Sequence, residues 1–288
     1  MKGKSNLYKV FIYVALLTLA ISIIVPIAWV FFASVKENAE FYGDPWAFPK
    51  GFHIQNFIDA FQKANMGEYM LNSVIVTVVA LIVLIAVALP AAYVLARFEF
   101  KGKKILNTVF MMGLFINSTY IVVPIFLMLL DGDAFLTKVI GRGFLIDNIF
   151  VLALVYAATS LPFTIYLMSN YFKTLSTSYE EAAYIDGAGL FKTLITVMAP
   201  LAKPSIITVI LFNFLNFWNE YIIALTLLPG DSKTLPVGLI NLMAGQKAAA
   251  NYGQMYAGLV IVMLPTLILY ILVQKQLTQG MTVGGTKE

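Results

Sequence analysis

The sequence predicts an all-α, polytopic membrane protein with six transmembrane helices and both termini in the cytoplasm. Three observations predict it. Hydrophobic residues fill 60% of the 288 positions and charged residues only 12%, with a mean hydropathy of +0.84. A soluble domain carries about 25% charged residues, so this chain lacks the polar surface to stay dissolved. The uncharged residues are gathered into runs that reach the roughly 20 apolar residues a helical span needs. The lysines and arginines, finally, are unevenly shared between alternate loops, which sets the orientation.

The charge-free windows are 10–35, 69–96, 105–130, 148–172, 204–231 (interrupted by Glu220) and 248–274. The first follows Lys2, Lys4 and Lys9 as a signal peptide would. Its run exceeds the 7–15 residues of an h-region and no small-x-small cleavage site follows, so it reads as a retained span. With the N-terminus inside, the cytoplasmic segments hold those three lysines with Arg97, Lys101, Lys103, Lys104, Lys173, Lys192, Lys203, Lys275 and Lys287. The external segments 36–68, 131–147 and 231–247 hold only Lys36, Lys50, Lys63, Lys138, Arg142, Lys233 and Lys247. The first external loop breaks structure at D-P-W-A-F-P-K-G, and F-I-D-A-F-Q-K-A then reads as a short amphipathic helix. R-F-E-F-K-G-K-K after the second span reads as a basic hairpin and positive-inside anchor. The whole is one transmembrane domain: first span and external loop over 1–68, a core over about 69–275, and a cytoplasmic tail over 276–288. That tail is short, polar and glycine-containing, as a frayed solvated end would be.

Several function classes fall away. Without cysteine there are no disulfides, thiolates or cysteine zinc sites, and His53 alone leaves little for histidine chemistry. No metal site, basic nucleic-acid patch or catalytic Ser/His/Asp set is visible. G-A-G-L-F-K-T at 187–193 looks like a phosphate loop, but Phe191 stands where backbone amides need Gly before Lys-Thr, and no strand precedes it. Glu220 is the one charged side chain inside a window, about 24 Å along a helix from Pro204. A carboxylate at that depth needs a cavity or a partner. With Asn213 and Asn216 it lies on roughly one helical face, near Trp218 and Asn219. That face reads either as a substrate pathway or as an interhelical hydrogen-bond cluster. Asn117, Ser118, Thr119 and Tyr120 form a second polar girdle, which is a pathway or a set of hydroxyls bonded to their own helix.

The stretch 178–200, S-Y-E-E-A-A-Y-I-D-G-A-G-L-F-K-T-L-I-T-V-M-A-P, stands apart. Ser178 and Glu181 have the spacing of a capping box. Glu180, Glu181 and Asp186 would occupy the first two turns, where the helix dipole favours anions. Ala182, Ala183, Gly187, Ala188 and Gly189 would let another surface approach closely, and Gly187 would allow a turn. Periodicity alone gives no more than a re-entrant or interfacial helix.

The spacing goes further. Glu181-Ala182-Ala183, three residues, Gly187, nine residues, then Val197-Met198-Ala199-Pro200 resembles the E-A-A-x3-G-x9-I-x-L-P signature of ABC importer permeases that work with an external binding protein. Val197 stands where Ile is usual and Ala199 where Leu is usual. E-E-A-A-Y-I-D-G-A is similar to the carbohydrate branch. So are Q-N-F-I-D-A-F, A-A-Y-V-L-A-R-F-E-F-K-G-K-K, F-W-N-E-Y at 217–221 and the ending G-M-T-V-G-G-T-K, which resemble the smaller, maltose-type permease subunit. The resemblance covers nearly the whole chain. It implies a non-enzymatic subunit of a sugar or oligosaccharide importer in the prokaryotic inner membrane. The implied partners are a second homologous permease, two cytoplasmic ATPases that hold ATP and Mg2+, and an extracytoplasmic solute-binding protein. This chain itself would bind no cofactor. It further implies that Glu180, Glu181, Ala182, Ala183, Asp186, Gly187, Ala188 and Pro200 belong to an ATPase-coupling loop. Within it Glu181 would pair with a basic residue and Ala182 and Ala183 would pack in a cleft. By the same resemblance Gly280, Met281, Thr282 and Gly284 reach the ATPase interface. Polyols and glycerol phosphate-type compounds are alternative substrates of similar permeases. An ion-coupled secondary transporter using Glu220 is the rival from another class.

Overall fold

In a computed structural model the backbone is described for residues 2–249 and 251–283, and side chains for 8–245 and 251–274. The order is α1 (Lys2–Ser34), a 3-10 turn (Asn38–Phe41), α2 (Gln55–Gln62), α3 (Met66–Arg97), α4 (Lys103–Gly113), α5 (Ser118–Ile140) and α6 (Ile149–Thr174). There follow α7 (Ser178–Ile185), α8 (Leu190–Thr193), a π-helical turn (Leu194–Met198), α9 (Ala199–Leu201) and α10 (Lys203–Asn219). The last elements are α11 (Ile222–Leu227), α12 (Leu235–Ala249) and α13 (Tyr252–Val283). No strand occurs among the described residues. Helices are what a lipid environment selects, because each meets its backbone hydrogen bonds internally.

Among the described residues, five helices are long and apolar enough to cross a membrane: Tyr8–Ser34, Met66–Arg97, Ser118–Ile140, Ile149–Thr174 and Tyr252–Gln274. The pair Leu190–Leu201 and Lys203–Asn219, bent by 78°, makes a sixth if counted as one span. The first, second, fourth and sixth windows thus match their helices closely. The third does not. The chain breaks over 114–117, so that α4 and α5 are separate helices and the apolar span runs to Ile140 rather than to 130. The cause is local, since Asn117 is extended and its side chain accepts the N–H of Thr119 at 2.9 Å, starting a new helix. The fifth window is also divided, ending as a helix at Asn219 and resuming at Ile222.

The chain forms two compact units, Met1–Gly67 with Gly238–Pro265, and Glu68–Val237 with Thr266–Glu288. In the first, the loop after α1 folds on aromatic contacts: Trp29 meets Trp46 at 5.1 Å and Tyr256 at 5.0 Å, and Phe41 stacks on Tyr256. Lys36 is buried there, donating to the Pro45 carbonyl at 2.7 Å and lying over the Phe41 ring. The expected short amphipathic helix is α2, pinned by Asn56, whose amide donates to the carbonyls of Ser34 and Lys36.

The core of the second unit joins Ala80, Leu84, Ala88 and Ala92 of α3 with Leu152, Ala153, Tyr156 and Ala157 of α6. Lipid tails are as apolar as leucine, so burial alone does not hold such helices together. Alanine rows spaced by about one turn allow the close backbone approach that does.

Candidate functional site

The 178–200 stretch lies in the second unit and builds a short helix with two unlike faces. Helix α7 begins one residue earlier than a Ser178 cap requires. Thr177 is the flanking residue, its carbonyl accepts from Glu180 and Glu181, and it makes no side-chain cap bond. Ser178 instead pairs with the Ser176 hydroxyl at 2.8 Å, so the expected capping box does not form. The helix ends after two turns because Gly187 has φ +77°, the left-handed conformation that side chains disfavour. The N–H of Gly187 bonds to Tyr184 and that of Ala188 to Ala183, closing the end as a C-terminal glycine motif does. Asp186 consequently sits at the C-terminal cap, the unfavourable end of the dipole for an anion, and not in the first two turns.

Glu180 and Ala183 are the buried residues of α7. Glu181, Ala182, Tyr184, Ile185 and Asp186 are exposed, Ile185 to 86%. After the turn Leu190 and Phe191 are exposed too, Phe191 to 71%. The outer surface of this stretch is therefore a mixed one, acidic at Glu181 and Asp186 and apolar at Ile185 and Phe191. Behind it Leu194 and Met198 are buried, and Val197 and Ala199 pack against the same core, so the two departures from the usual signature residues are accommodated inside. Pro200 and Pro204 have no N–H, which removes two rungs of a helical ladder about one turn apart. Between them the chain turns through 78° into α10.

Glu180 has a partner that the sequence did not reveal. Its Oε1 lies 3.2 Å from Nε of Arg97, the last residue of α3, with the two side chains 9% and 10% exposed. The contact is one of charge, since neither atom makes an aligned hydrogen bond. The Arg97 guanidinium also donates through Nη2 to the Leu175 carbonyl at 2.8 Å, just beyond the end of α6. Tyr93, one turn earlier on α3 and fully buried, lies against Glu180 and Tyr184. Read in sequence, Arg97 is one more cation at a span end. The signal that marks it is Tyr93 and Arg97 four apart on one helical face.

Glu220 is held by different means. It is extended, with φ −72° and ψ 132°, at the break between α10 and α11. Its carboxylate accepts the N–H of Ile223 at 2.7 Å and of Ala224 at 3.1 Å, capping the first turn of α11. The Tyr156 hydroxyl donates to it at 2.6 Å. Its expected companions divide. Asn213 is buried, donating to Thr164 Oγ1 at 3.0 Å and the Val209 carbonyl at 2.7 Å, and Trp218 is buried against Phe214. Asn216 and Asn219 are exposed, as are Asn117 and Tyr120. The predicted polar face is thus two sets of residues, one tying helices together and one open.

Gly280, Met281 and Thr282 fall in the last turns of α13, where the backbone is helical, and Gly284 lies outside the described residues. A cavity of about 420 Å3 in the first unit is lined by Glu37, Glu40, Lys50 and His53 among others. The Lys50 and Glu37 backbone N–H groups hold the Glu40 carboxylate below its ordinary pKa. Among the described residues no group of three or more His, Asp or Glu side chains is arranged to hold a metal ion.

Comparison with known proteins places these features. Residues 88–283, which include all of 178–200, match the family described as binding-protein-dependent transport system inner membrane component. A diacetylchitobiose uptake system permease protein of Streptomyces coelicolor is 34% identical over 266 residues, covering 92% of this chain and 84% of that protein. A trehalose/maltose transport system permease protein of Thermococcus litoralis is 28% identical, covering 98% of each. Among solved structures, a chain of a bacterial ABC transporter involved in importing the acidic polysaccharide alginate superposes with a TM-score of 0.78. It is 26% identical, with 95% of this chain and 97% of that one covered. A multi-pass membrane protein with this match over most of its length belongs to the family of binding-protein-dependent transport system inner membrane components.

Proposed function

We propose that this permease subunit carries a sugar or oligosaccharide, delivered by an extracytoplasmic binding protein, through an importer driven by two separate ATPases. Both termini and the 178–200 stretch face the cytoplasm, and a second homologous permease completes the pathway. ATP and Mg2+ reside on the ATPases. The observation that carries the reading is the outer surface of α7, where Glu181, Ala182, Ile185 and, past the Gly187 turn, Phe191 stand exposed on a chain whose other exposed apolar residues lie mainly on spanning helices. Such a surface, an acidic group beside apolar ones, suits a cleft with a basic rim. Carbohydrate is the substrate class named for relatives that match this chain over most of its length. Polyols and glycerol phosphates remain the alternative within the same class of transporter.

Of the pathway candidates, Asn117, Tyr120, Asn216 and Asn219 are the exposed ones and the residues proposed to meet the solute or the second permease. Glu220 gives an ion-coupled carrier no support, because its carboxylate already caps a helix and accepts from a phenol. The test is uptake by the complex reconstituted in proteoliposomes, with maltotriose and diacetylchitobiose as probes. Uptake should require both ATP and the binding protein. Uptake that survives ATP depletion and follows an ion gradient would overturn the reading.

A further inference from the structure

We propose that the buried Arg97–Glu180 pair is the joint through which displacement of α7 reaches α3, so that Glu180 positions α7 and does not itself meet the ATPase. The inference rests on the docking of α7 proposed above and adds how its movement is passed on. Glu180 and Glu181 are neighbours, yet one is buried and the other exposed. Only Glu181 is in a position to meet an outside partner. The Glu180 carboxylate lies 3.2 Å from the Arg97 guanidinium, and both side chains are about nine-tenths buried.

One guanidinium joins three elements here. It is attached to the end of α3, meets α7 through Glu180, and holds the carbonyl that follows α6 through Leu175. Its planar fork lets one donor fix the direction of the bond to Leu175 while another N–H faces Glu180, which the point charge of an ammonium does not. Tyr93 supports it from inside, lying against Glu180 and packed edge-on to Phe98 at 5.7 Å and Phe172 at 5.5 Å. A buried charge separated from its counter-charge is costly, so the two groups stay together when α7 is moved. A joint of this kind drags the end of α3 with α7, whereas an exposed pair would slip into solvent.

The chain has no cysteine, so single reporters are unambiguous. One fluorophore is placed at Glu99→Cys, just past α3, and in a second preparation at Tyr179→Cys, an exposed position of α7 outside the residues proposed to meet the ATPase. The complete complex is then treated with ATP and vanadate. In the otherwise unaltered complex both reporters should respond. With Arg97→Met the response at 179 should persist while that at 99 falls about tenfold, in the range of ordinary coupling. Arg97→Lys, which keeps the charge and loses the fork, should fall between. If Arg97→Met does not assemble, the neutral pair Arg97→Met with Glu180→Gln, which strands no charge, is used instead. Equal responses at both positions with Arg97→Met overturn the joint, and so does failure of the neutral pair to assemble, which assigns the residues to packing alone. Absence of any response at 179 in the unaltered complex overturns the docking of α7 itself, and so is distinguished from failure of the joint.

Discussion

Two carboxylates in the second unit, Glu180 and Glu220, are withdrawn from solvent by opposite means. Glu180 is buried against a cation contributed by another helix. Glu220 is half-buried and served by backbone N–H groups of the adjoining turn together with a phenol. The first arrangement ties distant elements together through charge. The second fixes the local path of one chain segment, where α10 stops and α11 starts. One lies in a polar stretch between spans and the other inside an apolar run, and the first is suited to passing on a displacement while the second holds a break in place.

Removing the partner separates them most sharply. Arg97→Met should lower stability by about 3–5 kcal/mol, since a buried carboxylate is left without its counter-charge. Thermal unfolding in detergent measures this, and a loss below about 1 kcal/mol would show the pair to be as weak as a surface one. Glu220→Gln keeps one acceptor oxygen for the α11 turn and should cost about 1.5–3 kcal/mol, the range for hydrogen bonds to charged groups. It should reduce folded yield, and a change in substrate preference at unchanged yield would return Glu220 to the pathway. Gly187→Val forces a β-branched residue to φ +77°, at about 1–2 kcal/mol, and should diminish ATPase co-purification before it diminishes expression.

How far the sequence reached follows the same division. Hydropathy windows find the long helices because apolar length is what a bilayer demands, and α1, α3, α6 and α13 agree with theirs. Windows average over side chains that cap helices, so the breaks at Asn117 and Glu220 passed unseen within apolar runs. The 178–200 stretch was legible through its spacing, and Gly187 takes up the positive φ that a turn there needs. Arg97 was not legible as a site residue. A cation at a span end has an ordinary use as an anchor, and its partner lies in a different element.

The smallest expected effect concerns the first unit. Glu40, held below its ordinary pKa of 4.5 by two backbone N–H groups, contributes stability that is present above that value. The contribution is lost as pH falls through the lowered folded value. Proteolysis of the first loop should accelerate on acidification below about pH 4.5, and Glu40→Gln should remove that dependence.

The two faces of α7 provide the most direct measurement. Single cysteines are placed at Ala182 and Ile185, on the exposed face, and at Ala183, on the buried one, in complexes carrying a short thiol-to-amine cross-linker. If α7 is the contact with the ATPase, positions 182 and 185 form adducts with that subunit and position 183 does not. An ATPase that co-purifies yet forms no adduct at 182 or 185, or forms it equally at 183, would contradict the assignment of this surface.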